Sequence, residues 1–143
     1  MSEIKNINLE VASFAIEKVK NVCNNKKMDK NYKTLVKKMP ALIQKNGLIL
    51  TLVFNWSKVE KLHHKEVLKN IIHWHKQNSK IKDFEGFKEV DFDKNEKDTK
   101  VIEKYIKAVT DLDQREYRLL TKEMMSLFGW IKRFAEGMIE GEE

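Results

Sequence analysis

In the last third of the chain, Tyr117, Leu120, Met124, Leu127, Ile131, Phe134 and Met138 follow one another in alternating steps of three and four. With 3.6 residues per turn, this spacing gathers all seven on one stripe of an α-helix; in a strand they would scatter over both faces. Asp113, with Glu116 three residues on, supplies an N-cap for that helix. Such a stripe needs other surfaces to pack on, and the composition favours more helices. One Pro and five Gly in 143 residues leave little of the turn chemistry that a many-stranded β protein requires. Leu, Ile, Val and Phe supply 41 residues, enough for a packed core rather than a disordered chain.

The same reading along the chain predicts an all-α fold. It is a single compact bundle of five to six helices forming one domain over residues 1–143, with a long loop around residues 78–95. Residues 3–23 place Ile4, Ile7, Val11, Phe14, Ala15, Val19 and Val22 on one helical face, and residues 24–27 read as a linker. From Lys30 the pattern Tyr32, Leu35, Val36, Met39, Leu42, Ile43 is helical again, and Pro40 must kink that helix or begin a new one. Asn46-Gly47 between two short apolar runs fits either a hairpin turn or a helix stop. The helical reading is favoured because no other strand is available for pairing. Ser57 with Glu60 suggests a capping box for a helix running to about Gln77, and a further helix is expected over roughly residues 96–109. No internal repeat is visible.

A lone Cys23 excludes a disulfide framework and a Cys-based zinc site, which suits a reducing cytoplasm. The longest apolar run, Leu48–Phe54 with Thr51 inside it, is far short of a membrane span, and residues 1–5 lack the apolar stretch of a signal peptide. A cytoplasmic protein without membrane contact is expected.

Charge is unevenly distributed. Residues 1–82 carry 17 Lys against 6 acidic residues, a balance of +11, whereas residues 83–143 carry 11 Lys and Arg against 16 acidic residues, a balance of −5. This asymmetry describes either two solvated surfaces, or a basic face for a polyanion and an acidic face for a protein partner. Lys26, Lys30, Lys33 and Lys37 form one stripe of the second helix, with Lys38 and Lys45 nearby. Like charges so placed cost a few tenths of a kcal/mol per pair in an isolated helix, a cost that a polyanion turns into attraction. The alternative is a solvated lysine-rich face. The chain's three arginines all lie on the last helix, where Arg115, Arg118, Lys122, Gly129 and Arg133 fall within about 60° of one another. Arginine contacts phosphate or carboxylate in a bidentate manner that lysine cannot match, and Gly129 smooths the stripe. The competing reading is internal ion pairing, for example Asp111 to Arg115.

Catalytic and metal chemistry find little support. His64 and His75 share a helix face but stand three turns apart, and His73 and His75 point to different sides. Zinc ligation needs convergence within about 2.1 Å of one point, so His63, His64, His73 and His75 are expected to be exposed helix residues. Asp91-Phe-Asp93-Lys-Asn95 imitates the opening of an EF-hand loop, but Glu96 and Ile102 replace its essential Gly and Glu. No phosphate loop, nucleophile elbow or apolar pair of acids is present. Neither a cofactor nor enzymatic activity is expected.

Two segments resemble one family. Leu35-Val-Lys-Lys-Met-Pro40-Ala-Leu-Ile-Gln-Lys-Asn-Gly47-Leu48-Ile-Leu-Thr-Leu52-Val-Phe54 is similar to the pattern Leu-Pro-x-x-Ile-x-x-Asn-Gly-Leu-x-x-Thr-Leu-x-Phe, with Met39 for the usual Leu. Tyr117-Arg118-Leu-Leu-Thr121-Lys-Glu123, followed by Trp130-Ile-Lys132-Arg133-Phe134-Ala135-Glu136, resembles a closing helix Tyr-Arg-x-x-Thr-x-Glu … Trp-Leu-Lys-Arg-Phe-Ala-Glu. Both belong to the small helical subunit of the type III-B (Cmr) CRISPR–Cas effector complex. The two segments cover about a third of the chain; residues 57–110 agree only in being helical.

The resemblance implies a non-catalytic, all-helical subunit of an RNA-guided antiviral complex. Its partners would be the large and backbone subunits, further copies of itself and single-stranded target RNA. It also implies that Asn46-Gly47 joins two helices, and that Pro40, Gly47, Tyr117, Trp130 and Phe134 are architectural. The basic residues named above would then touch phosphates without reading bases, since guide–target pairing supplies the sequence information. Two other classes remain open: a helical protein-interaction module without a nucleic-acid role, and a small RNA-processing enzyme using its histidines.

Overall fold

The computed structural model of the chain describes residues 7–93 and 96–141. Ile4 of the first helical pattern and Asn95 of the calcium-like segment lie outside these residues. Six α-helices and one 3-10 turn are present among the described residues, with no strand. They are α1 (Ile7–Cys23), α2 (Asp29–Asn46), α3 (Leu48–Trp56), α4 (Leu62–Asn78), α5 (Asp98–Thr110) and α6 (Gln114–Met138), with the 3-10 turn at Glu85–Phe87.

The helix with the clearest period is the one on which the others assemble: α6 packs along α1 and α2. Its core face consists of Leu120, Met124, Leu127, Phe128, Ile131 and Ala135, all buried. Tyr117, Phe134 and Met138 of the predicted stripe flank that face and are half-buried. Burying each large apolar side chain contributes about 1.5–3 kcal/mol, far more than any propensity difference within the helix. The Asp113–Glu116 capping box forms in both directions, Glu116 N–H donating to Asp113 Oδ1 at 2.8 Å and Asp113 N–H to Glu116 Oε1 at 2.9 Å. On the other side of α2 lie α3 and α4, and α5 closes against both.

Pro40 begins no new helix. It sits inside α2, although an interior proline costs about 3 kcal/mol. Val36, Met39 and Ile43 on the adjoining turns are buried, and their packing holds the helix together across the missing donor. Asn46-Gly47 is a helix stop: Gly47 has φ +88° and ψ 160°, its N–H donates to Ile43 O at 2.8 Å, and its carbonyl accepts from the Thr51 hydroxyl at 2.8 Å. That backbone region is essentially restricted to glycine. Gly47→Ala is therefore expected to lower the unfolding free energy by about 1–3 kcal/mol, measurable by urea denaturation; an unchanged midpoint would rule out the strain.

Ser57 does not cap a helix start. Its N–H donates to Val53 O at 2.9 Å and its hydroxyl to Phe54 O at 2.7 Å, so it finishes α3, and α4 begins only at Leu62. The long loop after α4 is present, but it is not loosely solvated throughout. Ile81, Phe87 and Val90 are buried, and Phe87 packs against the rings of His75 and Tyr105.

Candidate nucleic-acid interface

The lysine stripe on α2 is divided by burial. Lys26, Lys30, Lys38 and Lys45 are exposed and Lys37 is half-buried, but Lys33 is only 7% accessible. Its Nζ donates to Ile139 O and Gly141 O at 2.9 Å each. Lys33 therefore belongs to the helix packing and is withdrawn from any phosphate-binding surface. The antiparallel approach of α2 and α6 brings these carbonyls over the third position of the stripe, an outcome invisible to a helical wheel of α2 alone. Lys26 and Lys30 line an open depression beside Glu140 and Gly141, where Lys26 also lies 3.4 Å from Asp29. The Lys26 side chain is 82% accessible, so this pair is worth less than about 1 kcal/mol and does not keep the ammonium from a ligand.

The arginine stripe faces outward as its spacing predicts. Arg115, Arg118, Lys122 and Arg133 are all exposed on the side of α6 opposite its buried residues. Arg115 and Arg133 are separated by about 27 Å of helix. Asp111, the carboxylate considered as a partner for Arg115, is held instead by Lys107 at 2.9 Å. Among the described residues, no carboxylate lies within 4.0 Å of the side-chain nitrogens of these four residues. A Cβ on Gly129 would meet nothing within 4 Å, so this glycine leaves the stripe open without being required by packing. Arg133 stands 5.8 Å from the centre of the Trp130 ring.

Two residues that sequence reasoning left without a role join this surface. The loop after α4 folds back towards the start of α6, and Lys80 and Phe84 line an open groove of about 860 Å³ together with Arg115, Arg118 and Lys122. Glu123 ties the loop in place: its carboxylate accepts from the Ser79 hydroxyl at 2.6 Å and from the Lys80 N–H at 3.1 Å. Phe84 lies among charged residues of the loop, and nothing local in the sequence links it to a helix that begins thirty residues later.

None of the four histidines is exposed, contrary to the expectation from their spacing. His64 and His75 are buried, while His63 and His73 are half-buried. His64 Nδ1 pairs with Asn55 Oδ1 at 2.8 Å, and His75 Nδ1 with the Tyr105 hydroxyl at 2.8 Å. Burial holds both rings down at about pKa 4, with the charges of Lys58 and Lys61 adding to the effect at His64 and that of Lys76 at His75. His73 is lowered by burial and by Lys18, whose Nζ lies 3.3 Å from its Nδ1. These rings occupy separate packing sites. Among the described residues, no group of three or more His, Cys, Asp or Glu side chains is arranged to hold a metal ion, and no helix is long and apolar enough to cross a membrane.

The segments that carried the resemblance are now structural. Gly47 separates α2 from α3, and the Ile49 N–H donates to the Tyr117 hydroxyl at 2.9 Å, joining the first segment to the second across 68 residues. Trp130 and Phe134 stack at 5.9 Å on the flank of α6. A family model described as "CRISPR-associated protein (Cas_Cmr5)" matches residues 7–138, from the start of α1 to the end of α6. With that match extending over every helix, the chain belongs to the Cas_Cmr5 family, the CRISPR-associated small subunits of the type III-B Cmr complex.

Proposed function

We propose that the chain acts as a single helical domain in the cytoplasm, a non-catalytic subunit that stacks with further copies of itself beside the large and backbone subunits. In that position it holds single-stranded target RNA through phosphate contacts. The observation that supports this reading best is the outward stripe of Arg115, Arg118, Lys122 and Arg133, exposed and without carboxylate partners among the described residues. Surface cations without internal partners break no ion pair when they turn to phosphates, and they gain from counterion release. Lys26, Lys30, Lys37, Lys38 and Lys45 extend the basic surface along α2. Such contacts position a strand without reading it, which suits a complex whose guide supplies the sequence. The subunit contacts draw support from Leu50 and Leu62, 63% and 49% accessible, which with Val53 and Phe54 leave an apolar surface on α3 and at the start of α4.

The test is a titration of single-stranded RNA at several salt concentrations with wild-type protein and the triple variant Arg115→Gln/Arg118→Gln/Arg133→Gln. The wild-type affinity should fall steeply with salt, and the variant's log–log slope should be shallower by roughly 2. Equal slopes would remove these arginines from the interface. Negligible RNA affinity already in the wild type, together with loss of co-purifying Cmr subunits from the variant, would instead favour a protein-interaction module.

A further inference from the structure

The groove between the post-α4 loop and α6 combines the cations that phosphate contact requires with an aromatic ring that it does not. Lys80, Arg115, Arg118 and Lys122 supply four cations, none of them in an ion pair among the described residues. The two acids that also line the groove, Asp113 and Glu116, are engaged in capping each other's backbone amides. Glu123, the next acid along α6, is occupied by Ser79 and the Lys80 N–H. With four cations against the two carboxylates, the groove lining keeps a net positive charge. Within it stands Phe84, 37% accessible, whose ring makes no ring–ring or cation–π contact among the described residues although cations line the same groove. The two aromatic residues nearby in the loop are used differently: Phe87 is in the core, and Phe92 packs on His73 beneath Lys69.

An open ring beside several cations matches one polyanion better than others. A duplex hides its base faces, so it would engage the cations and leave Phe84 idle. An acidic peptide would do the same. A single strand offers both phosphates for the cations and an unstacked base for the ring. We infer that this groove binds single-stranded RNA with its phosphates on Lys80, Arg115, Arg118 and Lys122 and one base stacked on Phe84. The inference rests on the reading that the chain touches RNA, and adds to it a base contact and a preference for unpaired strands. The preference is independent of sequence because every base has a face to stack.

Two measurements test it. The first is photo-crosslinking of a 4-thiouridine single-stranded target to the assembled Cmr complex, with adducts mapped by mass spectrometry. The second is anisotropy of a labelled oligonucleotide with the full chain at low salt, comparing wild type, Phe84→Ala, Phe84→Leu and Phe84→Trp on single-stranded and duplex RNA. Adducts are expected at Phe84 or its immediate neighbours. The Ala and Leu variants should lose roughly 5- to 100-fold in single-strand affinity, Trp should restore it, and neither duplex binding nor the salt slope should change. Leu keeps the apolar bulk, so a loss shared by Ala and Leu but not Trp is not a folding defect. If Phe84 variants bind as wild type while Arg115→Gln/Arg118→Gln weakens binding, phosphate contact stands and the stacking inference falls. If neither set matters and this chain yields no adducts, both fall. If the arginine pair variant leaves the complex yet binds RNA normally, the groove seats a protein and the inference is overturned.

Discussion

Acidification from pH 7 to pH 5 is expected to lower the unfolding free energy by about 2 kcal/mol through His75 alone. The ring is fully enclosed, with the Phe87 ring tilted against it at 4.0 Å and the Tyr105 hydroxyl on Nδ1. Burial lowers its pKa from 6.5 to about 4. Between those values the unfolded chain binds a proton that the folded chain does not, so stability rises with pH across the window and falls on acidification. Below pH 4 the full loss from this ring approaches about 3 kcal/mol. His64, also lowered to about 4, acts in the same direction. Urea denaturation at the two pH values checks the total, and His75→Gln, which removes the titrating ring, should flatten the difference by about 2 kcal/mol. An NMR titration of His75 with a midpoint near 6.5 would sink the prediction. The same burial bears on chemistry: a ring enclosed by Phe87 and Tyr105 is withdrawn from any substrate proton.

Lys33→Met should destabilise the fold by about 2–3 kcal/mol. Methionine retains most of the stem but leaves Ile139 O and Gly141 O without the ammonium that binds both. Hydrogen bonds to charged groups are worth more than neutral ones, and a buried carbonyl deprived of its donor incurs the desolvation cost. Loss of protection in amide exchange should concentrate at residues 137–141, the segment that Lys33 fastens to α2. RNA affinity and its salt slope should match wild type, in contrast with the arginine variants. If Lys33→Met instead binds RNA more weakly at unchanged stability, Lys33 is a surface phosphate contact and its position under the C-terminal turn is wrong.

Much of the fold was legible because its determinants are local. The three-four step of α6 and its Asp113–Glu116 cap each act within a turn or two of chain, and the structure reproduces both; Asn46-Gly47 fits a hairpin turn as well as a helix stop in sequence, and the structure has the stop. The Ser57–Glu60 pattern failed for an equally local reason: the Ser57 amide is already committed to Val53, so the last turn of α3 outcompetes a new helix start. The arginine stripe was legible too, since outward orientation follows from lying opposite the apolar stripe on one helix.

What local pattern could not determine was which polar residues beside those stripes would be covered. Lys33, His64 and His75 have the sequence context of surface positions, yet the C-terminal turn of the chain, α3 and α5 close over them and give each a specific partner. The groove has the same origin: Lys80 and Phe84 meet Arg115 and Lys122 because the loop is held down by the burial of Ile81, Phe87 and Val90 and by Glu123 on α6. The sequence by itself determined which segments are helical and where they turn their apolar faces, because those depend on neighbours within one or two turns. Only the tertiary structure decided which charges remain in solvent, because burial depends on a third element whose distance along the chain no helical period encodes.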